Sequence, residues 1–325
     1  MNLAIVRKWI NPLNAFYSYV ASSLTGKVTG KWMPVFIGVE LTNHCNLNCP
    51  ECFTGSGQMT RPKGFMSPKL FDRILDETGQ YLYNVNLFFQ GEPMMHPDFF
   101  VLLGKTANYH TIVSTNGQFL TPGNASKLAA SGLRRLIVSL DGMDESTYSS
   151  YRQGGDLQKV VDGIKNVTEA IKRHSSSLRL EIQFLVNRQN ESQIPAAMQF
   201  ASEVNAKLKL KSMQLLDEEN AGEWLPAGEK FRRYRVENGR IIIKSRMRNS
   251  CLRLWLNPVV TWDGKVIPCC FDKNADHILG DLNTQSFRDI WNGEKAIKFR
   301  QSLLDSRNKI EICRNCTTGL SGVKY

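Results

Sequence analysis

The sequence predicts an α/β protein: a strand–helix core followed by a small cysteine-rich region. Two observations carry this reading. Between residues 35 and 213, strand-like segments alternate with segments of helical periodicity, the order that builds a parallel sheet covered by helices. Eight cysteines fall in two groups, three at 45–52 and five at 251–316, with none in the 198 residues between.

Taken in order, Leu13, Phe16, Tyr17, Val20 and Leu24 recur at helical spacing and predict an amphipathic helix over 12–24, within a helical extension over 1–33. No Lys or Arg lies on its polar face, which favours a helix that caps the main domain over one that lies on a membrane. Strands are predicted at 35–41, 84–90, 110–115, 133–140, 178–186 and 206–213, inside a core domain spanning 34–213. Helices are predicted between them at 67–80, 97–108, 122–131, 155–173 and 191–204. Ser67, Asp98 and Thr121 supply start signals, and Gly79 and Gly132 supply stops. Six strands can form an open doubly wound sheet or a partial barrel. Both bind ligands at the C-terminal ends of their strands. Residues 214–230 are polar and read as a linker, and 231–246 as a hairpin around Asn238-Gly239. The cysteine-rich region then occupies 247–325.

At 325 residues the chain can bury a full core, and 42% hydrophobic with 22% charged residues is an ordinary globular composition. A net charge of +11 admits an acidic partner, but the basic residues are spread along the chain and select none. Nucleic acid is not expected. No run of eighteen apolar residues predicts a membrane-spanning helix. Arg7 and Lys8 are not followed by a long apolar core with a small-residue cleavage site, so no secretory signal is read. Cysteines in such a chain point to reduced thiols, metal binding and a cytoplasmic setting.

The run Cys45-Asn46-Leu47-Asn48-Cys49-Pro50-Glu51-Cys52 sets three cysteines at CxxxCxxC spacing directly after the first predicted strand. Three thiolates on one short loop can hold three irons of a cubane 4Fe–4S cluster, whose cysteine ligation is usually fourfold. The fourth iron is then open to a small molecule, as at a catalytic metal site. Structural zinc is the alternative. His44 is poorly placed to complete it, because adjacent residues in an extended chain point in opposite directions.

This loop, with Phe53 following, resembles the signature of the radical S-adenosylmethionine (radical SAM) enzymes. The likeness extends to Gln90-Gly91-Glu92-Pro93, similar to that family's GGE-type motif, to Ser114-Thr115-Asn116-Gly117, and to Ser139-Leu140-Asp141-Gly142 with Arg152 beyond it. Each falls at the C-terminal end of a predicted strand. Alone, each is an ordinary turn or cap; in register they are not. The resemblance implies a partial (β/α)6 TIM-like barrel. It implies that the Gly91/Glu92 segment holds the amino group of SAM and that Arg152 faces its carboxylate, where a guanidinium fork fits. Ser139 would bond the ribose or carboxylate, Leu185 would back the adenine, and Glu51 would contribute through its backbone.

The second group is Cys251, Cys269, Cys270, Cys313 and Cys316. With Trp262-Asp263-Gly264, Val266-Ile267-Pro268 and Trp291, it resembles the SPASM/twitch extension that carries auxiliary 4Fe–4S clusters, in its single-cluster form. Twelve residues separate Cys251 from Gly264, and four separate Gly264 from Cys269. The resemblance implies Cys251, Cys269, Cys313 and Cys316 as ligands and leaves Cys270 free. In sulfatase-maturing relatives an aspartate base stands at the Cys270 position, and that assignment does not carry over to a cysteine; Cys270 is instead expected to face the substrate cavity as an acid/base or hydrogen-atom donor, with Asp272 in reserve as the base. A small buried filler is the competing reading for Cys270, and a closed zinc site the competing reading for the four cysteines.

The implied chemistry is reductive cleavage of SAM to a 5′-deoxyadenosyl radical that abstracts hydrogen from a peptide or small-molecule substrate. Two 4Fe–4S clusters, one auxiliary, favour net oxidation, with flavodoxin or ferredoxin as electron donor. The rival reading is a non-enzymatic iron–sulfur electron-transfer or metal-binding protein. Glu92, Ser139 and Arg152 argue against it, because an electron carrier needs no amino-acid pocket.

Overall fold

A computed structural model describes residues 3–238, 240–244 and 247–316. The first elements are α1 (Leu3–Thr25), β1 (Phe36–Val39), α2 (Pro68–Thr78), β2 (Asn84–Asn86), α3 (Phe99–Gly104) and β3 (His110–Thr115). Next come α4 (Pro122–Ala130), β4 (Arg135–Ser139), α5 (Glu145–Tyr151), α6 (Leu157–Arg173), β5 (Arg179–Val186), α7 (Ile194–Glu203) and β6 (Lys207–Ser212). The remainder holds α8 (Ala221–Trp224), β7 (Tyr234–Glu237), β8 (Arg240–Ile243), α9 (Leu252–Leu256), β9 (Val259–Val260), β10 (Lys265–Ile267) and β11 (Gly280–Asp281). It closes with α10 (Phe287–Trp291), α11 (Glu294–Ser306) and α12 (Glu311–Arg314).

All six core strands lie where the alternation placed them. Two start signals act through their side chains: the Ser67 hydroxyl accepts from the Leu70 amide at 3.2 Å and Thr121 from Asn124 at 3.3 Å. Asp98 precedes α3 but its side chain accepts nothing from the first turn, and α3 is much shorter than expected, ending where Thr106 bonds the Leu103 carbonyl. Gly132 takes a left-handed φ of +78°, a helix stop, whereas Gly79 stays helical and leads into one tighter turn. Helix α5 was not anticipated. Its signal was present: the Asp144 carboxylate accepts from the Thr147 amide at 2.8 Å and caps it.

Two compact units divide the chain. The first draws its described residues from 3–43, 61–90 and 247–316, the second from 44–60 and 91–244. In the second unit β3, β4, β5 and β6 run parallel, with Thr115 opposite Val138, Ser139 opposite Gln183 and Val186 opposite Ser212. Central β4 buries the continuous apolar run Leu136–Val138, as a strand covered on both sides requires, whereas β6, at the end of the sheet, alternates Lys and Leu. Strands β7 and β8 pair antiparallel, with Glu237 opposite Arg240. Asn238, with φ +50°, begins their turn, and Gly239 lies outside the described residues.

In the first unit, β1 pairs parallel with β2 on one side and β9 on the other, and β10 and β11 continue antiparallel. The cysteine-rich region thus starts by extending the β1 sheet. Gly38 permits the close approach, since a Cβ there would stand 3.0 Å from the Val259 side chain. A buried bidentate ion pair fixes the end of β1: Arg61 donates to both Glu40 oxygens at 2.7 and 2.8 Å. The same guanidinium reaches the Lys273 carbonyl at 3.2 Å, and the Trp262 amide reaches Glu40 at 3.2 Å.

The apolar residues that predicted α1 are not the ones that attach it. The helix starts at Leu3, runs through Pro12, and buries Asn11, Ala15, Ser18 and Ser22. Leu13, Phe16, Tyr17 and Leu24 are instead 56–82% exposed. Beneath the helix lie polar groups that need short polar partners. Asn11 exchanges two hydrogen bonds with the Met33 backbone at 2.8 and 2.9 Å, and the Ser18 hydroxyl accepts from the Trp255 indole at 3.1 Å.

Removing one partner of a buried ion pair strands the other charge, which costs about 3–5 kcal/mol. Arg61→Met is therefore expected to lower the unfolding free energy by about 3 kcal/mol in a denaturant titration. Glu40→Met with Arg61→Met should cost less than Arg61→Met alone.

Candidate active site

In the second unit, the loop carrying Cys45, Cys49 and Cys52 packs with Leu185, Tyr151, Met213 and Leu215 at the C-terminal ends of β5 and β6. Close backbone contacts hold it. The Asn48 amide donates to the Gln153 carbonyl at 2.9 Å, and Glu92 donates its amide to the His44 carbonyl at 2.8 Å. Gly55 is needed here: a Cβ would stand 2.5 Å from the Cys49 nitrogen and 2.7 Å from its oxygen. Gly154, at φ +82°, lets the chain pass the Asn46 carbonyl.

Three donors reach the thiol sulfurs. The Leu47 amide lies 3.5 Å from Cys45 Sγ, the Asn116 amide group 3.9 Å from the same atom, and Arg152 Nη1 3.8 Å from Cys49 Sγ. Burial pushes the Cys45 thiol up to about 11 and raises Cys49. Such thiols keep their protons until a metal displaces them, and donors aimed at sulfur suit a thiolate-bound cluster.

Arg152 caps the C-terminus of α5 and is fixed by a carboxylate to which the sequence reading gave no role. Asp141 Oδ2 receives Nε at 2.6 Å and Nη2 at 2.5 Å, while Oδ1 receives the Leu185 amide at 2.6 Å. Asn190 ties in the carbonyls of Asp141 and Leu185, both at 2.9 Å. Burial works against the Arg152 charge, but Asp141 and then Cys49 outweigh it, so the guanidinium is held more firmly charged than usual. One ion pair thus joins the ends of β4 and β5 to the cysteine loop. Asp141 stands in the Ser139–Gly142 motif, but only its burial and partners give it this role.

Glu92 is almost fully buried and its carboxylate is already engaged. It accepts from the Asn116 amide at 2.7 Å, the Thr115 hydroxyl at 2.8 Å and the Met94 amide at 3.1 Å. Burial pushes its pKa up to about 7 against those bonds. Gly91, at φ +72°, donates to the Thr54 hydroxyl at 3.3 Å. Ser139 is buried at the end of β4, and its hydroxyl makes no hydrogen bond among the described residues. The Glu51 side chain turns to residues 216–220, accepting from the Leu216 amide at 2.6 Å and Asn220 at 2.8 Å.

In the first unit, Cys251, Cys269, Cys313 and Cys316 line one small apolar cavity, with Arg253 and Arg307 beside them. Cys270 is outside it. Its sulfur instead receives a hydrogen bond from Arg253 Nη1 at 3.0 Å. Asp272 is fully buried, and its carboxylate accepts the amides of Asp276 and His277 at 2.8 and 3.0 Å, bracing the turn after Cys270. Among the described residues, no three His, Cys, Asp or Glu side chains converge as a single ion requires. A zinc ion needs that convergence. A cubane takes one thiolate per iron and does not.

Residues 39–201 match the Radical SAM superfamily, half of the chain. This chain belongs to that superfamily. Residues 251–317 match SPASM, an iron–sulfur cluster-binding domain. The chain is 26% identical over 318 residues to the AdoMet-dependent heme synthase of Methanosarcina barkeri, covering 86% of this chain and 88% of the relative. It is 25% identical over 290 residues to the S-adenosyl-L-methionine-dependent 2-deoxy-scyllo-inosamine dehydrogenase of Niallia circulans, covering 86% and 91%. Streptococcus suis SuiB bound to precursor peptide SuiA shares the fold at TM-score 0.65 and 17% identity, covering 94% of this chain and 74% of that one. The protein is thus a radical SAM enzyme, one that reductively cleaves SAM to a 5′-deoxyadenosyl radical, with an iron–sulfur SPASM domain. The electron-carrier reading is set aside.

A methyl group at position 55 has no room beside Cys49. Gly55→Ala in this radical SAM enzyme is expected to lose iron from the Cys45–Cys52 loop. Iron per chain after anaerobic reconstitution should fall by about four atoms, one cubane, while the far-ultraviolet circular dichroism is unchanged.

Proposed function

We propose that the enzyme carries two 4Fe–4S clusters and catalyses a net oxidation of a peptide or small-molecule substrate. Cys45, Cys49 and Cys52 hold the first cluster and leave one iron open to SAM; Cys251, Cys269, Cys313 and Cys316 hold the second. The observation that carries this is the single cavity lined by four cysteines while the fifth, Cys270, is turned away toward Arg253. Arg253 and Arg307 offset the negative charge that four thiolates bring. When bound and reduced, the first cluster supplies the electron that breaks the C–S bond of SAM.

The protein's own part is to bind and orient. Arg152, already aligned by Asp141, receives the methionine carboxylate. The backbone of the Gly91/Glu92 segment receives the amino group, whose charge also offsets the burial of Glu92. The Ser139 hydroxyl takes the ribose or carboxylate, Leu185 backs the adenine, and Glu51 contributes through its backbone, its carboxylate being engaged with Leu216 and Asn220. Cys270 serves as acid/base or hydrogen-atom donor, and Asp272 holds the turn that presents it. An electron acceptor held in the protein favours oxidation over isomerisation, and the name of the Niallia circulans relative records a dehydrogenation. A flavodoxin or ferredoxin supplies the reducing electron in the cytoplasm.

Anaerobically reconstituted protein should contain about eight irons, four per cubane, and release 5′-deoxyadenosine from SAM under dithionite. Replacing Cys45, Cys49 and Cys52 by Ala should leave about four irons and no 5′-deoxyadenosine. Four irons in the unaltered protein would sink the two-cluster reading. Cys270→Ser should keep all the iron while lowering substrate turnover; loss of iron would make Cys270 a ligand instead. Asp141→Asn should weaken SAM binding about tenfold or more, as expected when a buried charge loses its counter-charge, with iron content unchanged.

A further inference from the structure

The outward face of α1 is the largest unexplained feature of the first unit. Trp9, Ile10, Leu13, Phe16, Tyr17 and Leu24 are 48–82% exposed. At about 100° per residue they fall within one stripe of roughly a third of the helix circumference. Asn11, Ala15, Ser18 and Ser22 occupy the opposite side and are buried. The usual amphipathic arrangement is therefore inverted: polar residues attach the helix and apolar ones meet solvent. Exposed apolar patches of this extent mark contact sites.

Charge selects the occupant. Residues 1–39 contain Arg7, Lys8, Lys27 and Lys31 and no Asp or Glu. Beside the stripe, starting at Ile10, a cleft of about 230 Å³ is lined by Arg7, Lys31 and Arg288 together with Asn11 and Asn14. None of the three cations has a carboxylate partner among the described residues; Arg7 reaches Gln80 at 2.6 Å and Arg288 the Tyr81 hydroxyl at 2.6 Å. A protein partner recognised by this cleft would need a carboxylate placed beside a groove for one helix. An anionic bilayer supplies both features at once, a continuous apolar phase and a layer of phosphates at its edge. Aromatic side chains with polar edges, as Trp9 and Tyr17 are, settle at that boundary. The absence of Lys and Arg from the polar face of residues 12–24, which counted against membrane contact in the sequence, does not hold for the whole helix: α1 begins at Leu3, and Arg7 on its polar side lines the cleft with Lys31 and Arg288.

We propose that α1 seats this enzyme on an anionic phospholipid surface, with the Trp9–Leu24 stripe in the acyl boundary and the Arg7/Lys31/Arg288 cleft on headgroup phosphate. Among the described residues no helix is long and apolar enough to cross a membrane, and the proposed contact is peripheral.

The test is co-sedimentation of the full chain with sucrose-loaded vesicles of phosphatidylcholine alone, or of phosphatidylcholine and phosphatidylglycerol at roughly 3:1. The protein should sediment with the anionic vesicles and far less with the neutral ones. Leu13→Ser with Phe16→Ser and Tyr17→Ser should cut binding about tenfold or more, with an unchanged melting temperature and unchanged 5′-deoxyadenosine release from SAM. Arg7→Gln with Lys31→Gln should remove the preference for anionic lipid. Failure of the unaltered protein to sediment, or equal binding by the triple variant, overturns the proposal. So does a dimer in light scattering that the triple variant abolishes while vesicle binding is absent, which would assign the face to a second copy of the chain.

Discussion

The candidate SAM site depends on one buried ion pair. Asp141 is fully buried at the end of β4, and Arg152 closes α5; each would be costly alone in that position. Together they fix three things. The guanidinium stands beside Cys49, the β5 backbone is drawn in through the Leu185 amide, and the α5 terminus is locked against the cysteine loop. A loop of three thiols has little stability of its own. Its position is imposed by this pair, by the Asn48–Gln153 backbone bond, and by the room left at Gly55 and Gly154.

The auxiliary cysteines follow the same logic with different parts. Four of them share a cavity between α9, α11 and the C-terminal turns; burial raises the Cys251, Cys269 and Cys313 thiols, and Arg253 and Arg307 bring positive charge beside them. Arg253 also claims Cys270, which separates the fifth cysteine from the other four.

Much of the core was legible because its signals are local. Alternation of strand and helix, Ser67 and Thr121 as caps, and glycine at φ +78° in position 132 depend on neighbours a few residues away. The cysteine spacings were equally plain. Helix α5 could have been read from Asp144 and was not. The role of Asp141 could not have been: it stands in the Ser139–Gly142 motif, but the partners that give it a role lie 11 and 44 residues away.

The sequence by itself determined the order of elements, the two groups of thiols and the residue types at each strand end, because periodicity, capping and ligand spacing are short-range properties. Tertiary structure alone decided which carboxylate holds Arg152, what the Cys270 sulfur contacts, and which face of α1 meets water. The last case is the clearest. Periodicity reports that a helix has an apolar side, but only the polar groups waiting beneath it, the Met33 backbone and the Trp255 indole, determine which side turns inward.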